Sequence, residues 1–168
     1  MKNVNLYIEY SSTVFQKAER VSGYVLEYIK ADGTPATVEG FRKKRETYHQ
    51  TTLRVLDEAL KRIHEPCGLC IYGKDAFVLN MLKGRLKEWA EEDFCPNGKP
   101  VMNQEEWRFV WEKIKEHKVS VSIGNHAYSG WMLTEMEENY AGINEKQSAP
   151  KLPGAGQEDS PPSSGGNL

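Results

Sequence analysis

The first part of the chain alternates apolar and polar side chains with the two-residue period of a β-strand. This pattern is clearest over residues 4–9, and a second apolar run, rich in β-forming residues, spans residues 21–29. Residues 31–35 have the composition of a turn, and residues 37–42 are a third candidate strand. The pattern therefore predicts three successive strands with hairpin-like connections.

The spacing of apolar residues changes after residue 50. Leu53, Leu56, Leu60 and Ile63 recur every three or four positions, which places them on one face of a helix. The next apolar run, residues 69–72, is too short for a helix and predicts a buried strand.

The second half of the chain carries several helix signals around one further strand. Asp75 is a candidate cap for a helix whose apolar face ends at Leu82, and a short helix is predicted over residues 85–91. Asn103, followed three residues later by Glu106, resembles a capping box for the next helix. A strand over residues 119–123 and a helix over residues 131–140 complete the pattern. This order predicts an α/β fold, a mixed sheet with helices on its faces.

Length and composition fit one folded domain. The chain has 168 residues, of which 39% are hydrophobic, enough for a single core. From about Ser148 the sequence consists mainly of Pro, Gly, Ser and acidic residues, which bury too little apolar surface to offset the loss of chain entropy. We therefore expect a folded domain over residues 1–141 and a disordered tail over residues 142–168.

Charge and cysteine content limit the classes of function. The formal net charge is −2, so any contact with nucleic acid must come from a local patch rather than from bulk positive charge. The three cysteines, an odd number, fit a reducing compartment better than a disulfide framework. No apolar run approaches the roughly 20 residues of a membrane span. These features predict a cytoplasmic protein that makes no membrane contact.

Five local motifs occur in the same order as in the bacterial ribonuclease HI family, which the chain therefore resembles. They are YIEYS at residues 7–11, SGYVLEY at 22–28, DEALK at 57–61, GKPVMN at 98–103 and NHA at 125–127. The resemblance extends over roughly residues 4–138. It implies a ribonuclease-H-like fold with a five-stranded mixed sheet in the order 3-2-1-4-5 and with strand one in the centre.

The resemblance also implies where a metal site would lie. Members of the family cut the RNA strand of an RNA–DNA hybrid with two divalent metal ions held by four carboxylates. Glu9 takes the position of the acid that bridges both metals. The glutamate of the family's first helix falls at His49, whose imidazole is a poor ligand for Mg²⁺. The nearest acid, Glu46, lies about one turn earlier.

The end of the fourth strand departs from the family in the sign of a charge. Direct alignment puts Lys74 at the metal-ligand position, where its ammonium would bond Glu9 instead of a metal. This register predicts the ammonium within about 4 Å of the Glu9 carboxylate. A one-residue slip makes Asp75 the ligand, with Lys74 pointing to solvent and Asp75 facing Glu9 across an open pocket. Both registers are open at this point.

The last helix and the loop before it supply the remaining candidates. Glu135 and Glu137 lie nine and eleven residues after His126, and either is a partial replacement for the family's last acid. His126 matches a mobile histidine that helps product release in the family. If the site is active, Glu9, Asp75 and Glu135 are the expected ligands of Mg²⁺ or Mn²⁺. If it is inactive, no cofactor is expected.

Contacts with nucleic acid are implied at three places. Asn103 matches an asparagine that contacts nucleic acid in the family. Lys83 and Arg85 begin the counterpart of a basic protrusion that grips the hybrid, although acidic residues follow them. A basic run near the third strand is either a phosphate contact or a solvated charged turn, and its members are Arg42, Lys43, Lys44 and Arg45.

Three functions therefore remain open. The first is a ribonuclease H relative with lost or impaired catalysis that binds nucleic acid, such as an RNA–DNA hybrid, or a protein partner. The second is an active metal-dependent ribonuclease H with a rearranged carboxylate set. The third is a protein-interaction module that binds no nucleic acid. Lys74 favours the first, Glu9, His126 and Asn103 keep the second open, and the near-neutral net charge keeps the third open.

Overall fold

The computed structural model describes residues 2–140, which form one five-stranded sheet in the order β3-β2-β1-β4-β5. The strands are β1 (Lys2–Tyr10), β2 (Ala18–Ile29), β3 (Pro35–Glu46), β4 (Cys67–Gly73) and β5 (Lys118–Ile123). Strand β1 is antiparallel to β2 and parallel to β4. The predicted mixed sheet, its strand order and the central position of the first strand are confirmed. The predicted tail, residues 142–168, lies outside the described residues.

Helices cover both faces of the sheet. They are α1 (Tyr48–Leu60), α2 (Ala76–Lys83), α3 (Leu86–Glu91), α4 (Gln104–Ile114) and α5 (Ser129–Asn139). Within residues 2–140, no helix has the length and apolar character needed to cross a membrane.

The alternation along β1 determines which side chains meet which helices. Leu6 and Ile8 are fully buried in the cluster that includes Trp107 of α4. Tyr7 lies on the opposite face, in the cluster that includes Trp131 of α5. Each fully buried leucine or isoleucine contributes about 1.5–3 kcal/mol, so β1 is held from both sides. Side chains at odd-numbered positions of β1 consequently face α5.

Two element boundaries differ from the sequence prediction. Strand β3 extends to Glu46 and contains the basic run, so the interpretation of that run as a turn is wrong. Its edge position explains the difference, because charged side chains are tolerated on edge strands. Helix α5 begins at Ser129 rather than Trp131, because the apolar stripe that signalled the helix starts only at its third residue.

The predicted capping box before α4 is also wrong. Asn103 has a left-handed backbone with φ of 60°, and its side chain makes no capping hydrogen bond. Glu106 does not reach back to the cap and instead accepts hydrogen bonds from Gln50 (2.8 Å) and Arg54 (3.0 Å) of α1. The acid therefore ties α4 to α1.

Candidate functional site at the ends of β1 and β4

Glu9 and Lys74 come together because β1 and β4 are parallel and in register. Tyr7 pairs with Tyr72 across the two strands, and their rings stack with centroids 4.6 Å apart. Side chains two positions apart along a strand point to the same face. Glu9 lies two positions after Tyr7, and Lys74, the first residue after β4, lies two positions after Tyr72. The Lys74 Nζ lies 2.9 Å from Glu9 Oε1, so the contact predicted by the direct register is present.

Glu9 is surrounded by hydrogen-bond donors in a closed pocket. Its side chain has no solvent exposure, whereas that of Lys74 is 27% exposed. The Ser129 hydroxyl donates to Glu9 Oε2 over 2.6 Å, and the backbone N–H of Tyr10 donates to Oε1 over 3.3 Å. Because a buried carboxylate without partners is costly, these donors and the ammonium together make the buried charge tenable.

The strand opposite Glu9 has no room for a side chain. Glu9 pairs with Gly23 of β2, where a Cβ atom would come 2.5 Å from Phe41 Cδ1 and 2.6 Å from the Gly40 carbonyl oxygen. The glycine is therefore required by close approach of β3. The lack of space for a side chain at this position explains why β2 contains a glycine.

His126 is fixed beside this pocket rather than exposed in a loop. Its side chain is 1% exposed. Its Nε2–H donates to the Ile8 carbonyl over 2.9 Å, and its Nδ1 accepts from the backbone N–H of Tyr128 over 3.2 Å. Burial lowers the pKa of His126, so the neutral imidazole is favoured. The histidine that the resemblance matched to a mobile residue thus has a buried side chain that packs at the end of β1. Its Nε2 lies 3.7 Å from Glu9 Oε2.

Asp75 points to the other face of the sheet, toward α1. Its Oδ1 accepts from the backbone N–H of Val78 over 3.1 Å, which is the predicted helix cap. Its Oδ2 accepts from the Thr52 hydroxyl over 2.7 Å and lies 2.8 Å from His49 Nδ1. Lys74 and Asp75 are consecutive and point to opposite faces, so Asp75 does not take the position across from Glu9. The slipped register is wrong.

A chain of hydroxyl groups connects Asp75 to the end of β1. The Tyr10 hydroxyl lies 2.6 Å from the Thr52 hydroxyl. The single Thr52 proton goes to Asp75 Oδ2 (2.7 Å) or to the Tyr48 carbonyl (3.2 Å). Both of these only accept, so Tyr10 is the donor in its contact with Thr52. Burial, with the nearby Tyr48, Asp75 and Glu9, raises the pKa of Tyr10 well above its usual range. Tyr10 therefore keeps its proton and remains a donor.

Ser129, not Glu135, is the side chain of α5 that reaches Glu9. Glu135 accepts a hydrogen bond from Asn139 over 2.6 Å. It lies six residues beyond Ser129, about 9 Å further along the helix axis. Sequence reasoning missed Ser129, although its position three residues after His126 was a signal, because its hydroxyl accepts the His126 backbone N–H over 3.0 Å.

The predicted ligand set of Glu9, Asp75 and Glu135 is not assembled. Over residues 2–140, no three His, Cys, Asp or Glu side chains lie close enough together to hold a metal ion. The ammonium of Lys74 occupies the space beside Glu9, and Asp75 is turned to the opposite face. The residues present therefore do not fit a pair of divalent metals.

The basic side chains of β3 that are candidates for contacting nucleic acid differ in their exposure and in their existing hydrogen bonds. The Arg42 guanidinium makes two hydrogen bonds of 2.8 Å to the Glu46 carboxylate, and its side chain is only 13% exposed. Lys43 donates to the Tyr140 carbonyl over 3.4 Å. Lys44 and Arg45 are exposed. Arg42 is therefore a structural residue, and the available charge of this strand lies at Lys44 and Arg45.

The counterpart of the basic protrusion is short and mixed in charge. Lys83 ends α2 and is exposed, and Arg85 Nε lies 3.9 Å from the Glu88 carboxylate. Helix α3 has six residues. Asn103 is half-buried at the start of α4. These positions supply fewer uncompensated cations than the sequence motif implied.

Comparisons with known proteins agree with this architecture. A ribonuclease H of a Thermoanaerobacter species is 31% identical over 98 residues, covering 56% of this chain and 63% of the relative. Ribonuclease HI of Haemophilus influenzae is 33% identical over 79 residues, covering 44% of this chain and 51% of the relative. The matches thus span about half to just under two thirds of these relatives. No protein-family model matches the chain.

Solved structures support the same fold. LC9-RNase H1, described as a type 1 RNase H with the type 2 active-site motif, superposes with a TM-score of 0.62 at 15% identity, covering 76% of this chain and 66% of that chain. A foamy viral protease-reverse transcriptase in complex with RNA/DNA hybrid superposes with a TM-score of 0.51 at 13% identity, covering 73% and 17%. The resemblance to the ribonuclease H family and the ribonuclease-H-like fold are confirmed.

Proposed function

We propose that this chain binds nucleic acid with a ribonuclease-H-like fold in which an ion pair replaces the metal-bound carboxylates, so that two-metal hydrolysis is lost or strongly impaired. The observation that carries the proposal is the 2.9 Å contact between Lys74 Nζ and Glu9 Oε1, in a pocket where Glu9 has no solvent exposure.

Charge balance is the physical reason. Two like unit charges about 4 Å apart repel by about 4 kcal/mol at an effective dielectric constant of about 20, and a divalent ion beside an ammonium doubles that repulsion. A two-metal site instead needs several anionic oxygen ligands. Here Glu9 already has the Lys74 ammonium and the Ser129 hydroxyl as partners.

The nucleic-acid part of the proposal rests on similarity and on exposed cations. The relatives are named ribonucleases H, and a structural neighbour was solved with an RNA/DNA hybrid. Four cations are exposed and can contact phosphates: Lys44, Arg45, Lys83 and Arg85. In nucleic-acid complexes, phosphate contacts position the protein but do not read the base sequence. The ligand class we propose is therefore nucleic acid, held mainly through its backbone.

The test combines cleavage and binding of a labelled RNA–DNA hybrid. The unmodified protein is expected to bind the hybrid and to leave it intact with Mg²⁺ and with Mn²⁺. Efficient cleavage with either metal would support the rearranged nuclease instead. Absence of any nucleic-acid binding would leave the protein-interaction module as the remaining alternative.

Two double variants, which remove the same number of positive charges from different surfaces, test which surface binds the hybrid. The Lys44→Gln/Arg45→Gln variant is expected to weaken hybrid binding and to reduce the slope of log affinity against log salt by up to about 2. The control is Lys61→Gln/Lys115→Gln, which removes the same charge from the residues that directly follow α1 and α4, whose side chains are 60% and 38% exposed. Equal effects of both variants would contradict a specific contribution of β3.

A further inference from the structure

Exposed aromatic rings gather around His49, on the α1 face of the site. Phe15 in the loop between β1 and β2 is 68% exposed, and Phe77 in the first turn of α2 is 49% exposed. The His49 ring centroid lies 5.6 Å from that of Phe15 and 4.9 Å from that of Phe77. Contiguous apolar surface of this kind marks interaction sites more often than scattered apolar residues do.

The loop that carries Phe15 is built to a fixed shape. Arg20 is 2% exposed, and its guanidinium donates to the carbonyl oxygens of Ser12 (2.8 Å), Gln16 (2.9 Å) and Glu46 (3.1 Å). The Phe15 carbonyl accepts the backbone N–H of Tyr48, the first residue of α1, over 3.2 Å. A buried cation thus holds both ends of the loop, and Phe15 is exposed on an ordered backbone.

The other two rings are positioned by Asp75. Its carboxylate caps α2 through the Val78 N–H and contacts His49 Nδ1 at 2.8 Å, so one buried acid orients His49 and the helix start that carries Phe77. A groove of about 470 Å³ continues from Phe77 along α2 to Arg85. Phe77 belongs to both, so the rings and the groove adjoin and together form one track.

The charges around this track are mostly positive. On the loop and β3 side, Lys17 is exposed, and so is Lys44, which pairs with Arg20, whereas Arg45 pairs with Glu19 on the opposite face of the sheet. Arg85 ends the groove on the other side, where its Nε lies 3.9 Å from the exposed Glu88 carboxylate. The two acids beneath the rings, Glu9 and Asp75, are buried. A complementary ligand therefore presents flat apolar groups together with negative charges.

We propose that Phe15, His49 and Phe77 form a stacking platform for unpaired nucleobases, so that the chain prefers single-stranded nucleic acid to a duplex hybrid. This deepens the proposed function and rests on its nucleic-acid-binding part. Base faces stack on aromatic side chains whatever the sequence, while cations follow the backbone. A duplex hides those faces in its own stack, so it would leave the platform uncovered.

The experiment is a fluorescence anisotropy titration with labelled single strands of DNA and RNA, an abasic strand of the same length and an RNA–DNA hybrid duplex. The abasic strand keeps the phosphates but lacks bases. The unmodified protein is expected to bind the base-containing strands at least about tenfold more tightly than the abasic strand and more tightly than the duplex. Phe15→Ala and Phe77→Ala are each expected to weaken single-strand binding at least about fivefold.

The matched control is Phe109→Ala, which removes a 47% exposed ring from α4 and is expected to leave binding unchanged. If an alanine variant fails to fold, Phe15→Leu and Phe77→Leu keep the apolar volume but remove the aromatic face. Equal affinity for base-containing and abasic strands, or unchanged binding by the variants, overturns the platform while leaving hybrid binding intact. Absence of binding to every probe overturns the nucleic-acid part of the proposed function as well.

Discussion

Glu9 and Asp75 are both buried carboxylates at the ends of neighbouring parallel strands, but their charges are compensated in different ways. Glu9 faces α5 and contacts a formal cation, the Lys74 ammonium, at 2.9 Å. Asp75 faces α1 and is held by a helix N–H, the Thr52 hydroxyl and the His49 imidazole. One acid is compensated by a formal charge and the other by hydrogen-bond donors and the His49 ring.

The difference follows from the two-residue period of a strand. Lys74 continues the face of Tyr72, and Asp75 continues the face of Gly73, so consecutive residues serve opposite sides of the sheet. A metal site that used both acids would need them on one face. The ion pair around Glu9 and the hydrogen-bond network around Asp75 are therefore separate units, which are expected to respond separately to substitution.

The largest expected effect is that of Lys74→Met. Removal of the ammonium leaves Glu9 buried with only neutral donors, and breaking a buried pair in this way costs about 3–5 kcal/mol. The measurement is the free energy of unfolding in urea. The control is Glu9→Gln/Lys74→Met, which removes both charges and is expected to recover most of the loss. A cost under about 1 kcal/mol for the single variant would contradict charge compensation at Glu9.

A smaller effect is expected for Asp75→Ala. It removes the cap of α2, which is worth about 0.5–2 kcal/mol, and the nearer of two acceptors of the buried Thr52 hydroxyl, leaving only the Tyr48 carbonyl at 3.2 Å, so a total of about 2–3 kcal/mol is expected. Asp75→Asn keeps the acceptor oxygen and is expected to cost about 1 kcal/mol. Chemical denaturation checks both values. Equal losses for the two variants would show that the charge of Asp75, rather than its hydrogen bonds, stabilises the fold.

The third expected effect is that the free energy of unfolding depends on pH through His126, which lies beside Glu9. Burial lowers the pKa of His126 below its usual 6.5, with the Ile8 carbonyl and Glu9 acting in the opposite direction. His126 therefore binds a proton more readily in the unfolded chain than in the folded protein. This contribution to stability is complete above pH 6.5 and is lost as pH falls from there toward the folded-state pKa.

Urea unfolding across this range checks the direction, and His126→Gln is expected to flatten the dependence. His117, whose pKa is also lowered by burial, acts in the same direction, so the comparison is made in a His117→Asn background. Stability that rises on acidification in that background would contradict the neutral, buried state of His126.

The contact at the centre of the site followed from the family resemblance, whose direct alignment of the fourth strand put Lys74 beside Glu9, but the sequence left the one-residue slip to Asp75 open. The choice between the two registers needed the structure, which puts the Lys74 ammonium 2.9 Å from Glu9 Oε1. The cap formed by Asp75 was predictable from the sequence, since its signal is local.

Other parts of the site carry no such signal. The sequence pair of Asn103 and Glu106 matches a capping box, but the left-handed φ of Asn103 is set by the surrounding loop and not by the pair. Ser129 lies before the apolar stripe of α5, so hydrophobic periodicity omits it. The burial of His126 depends on how α5 packs against β1, which is a tertiary effect.

The most direct test of the central claim is a calorimetric titration of the protein with Mg²⁺, repeated with Mn²⁺. The ion pair predicts no specific binding heat at millimolar concentrations for the unmodified protein, because the Lys74 ammonium already compensates Glu9. Lys74→Asp, which puts a second carboxylate beside Glu9, is expected to bind the metal. Specific binding of either metal by the unmodified protein at ordinary millimolar concentrations would contradict the replacement of metal by Lys74.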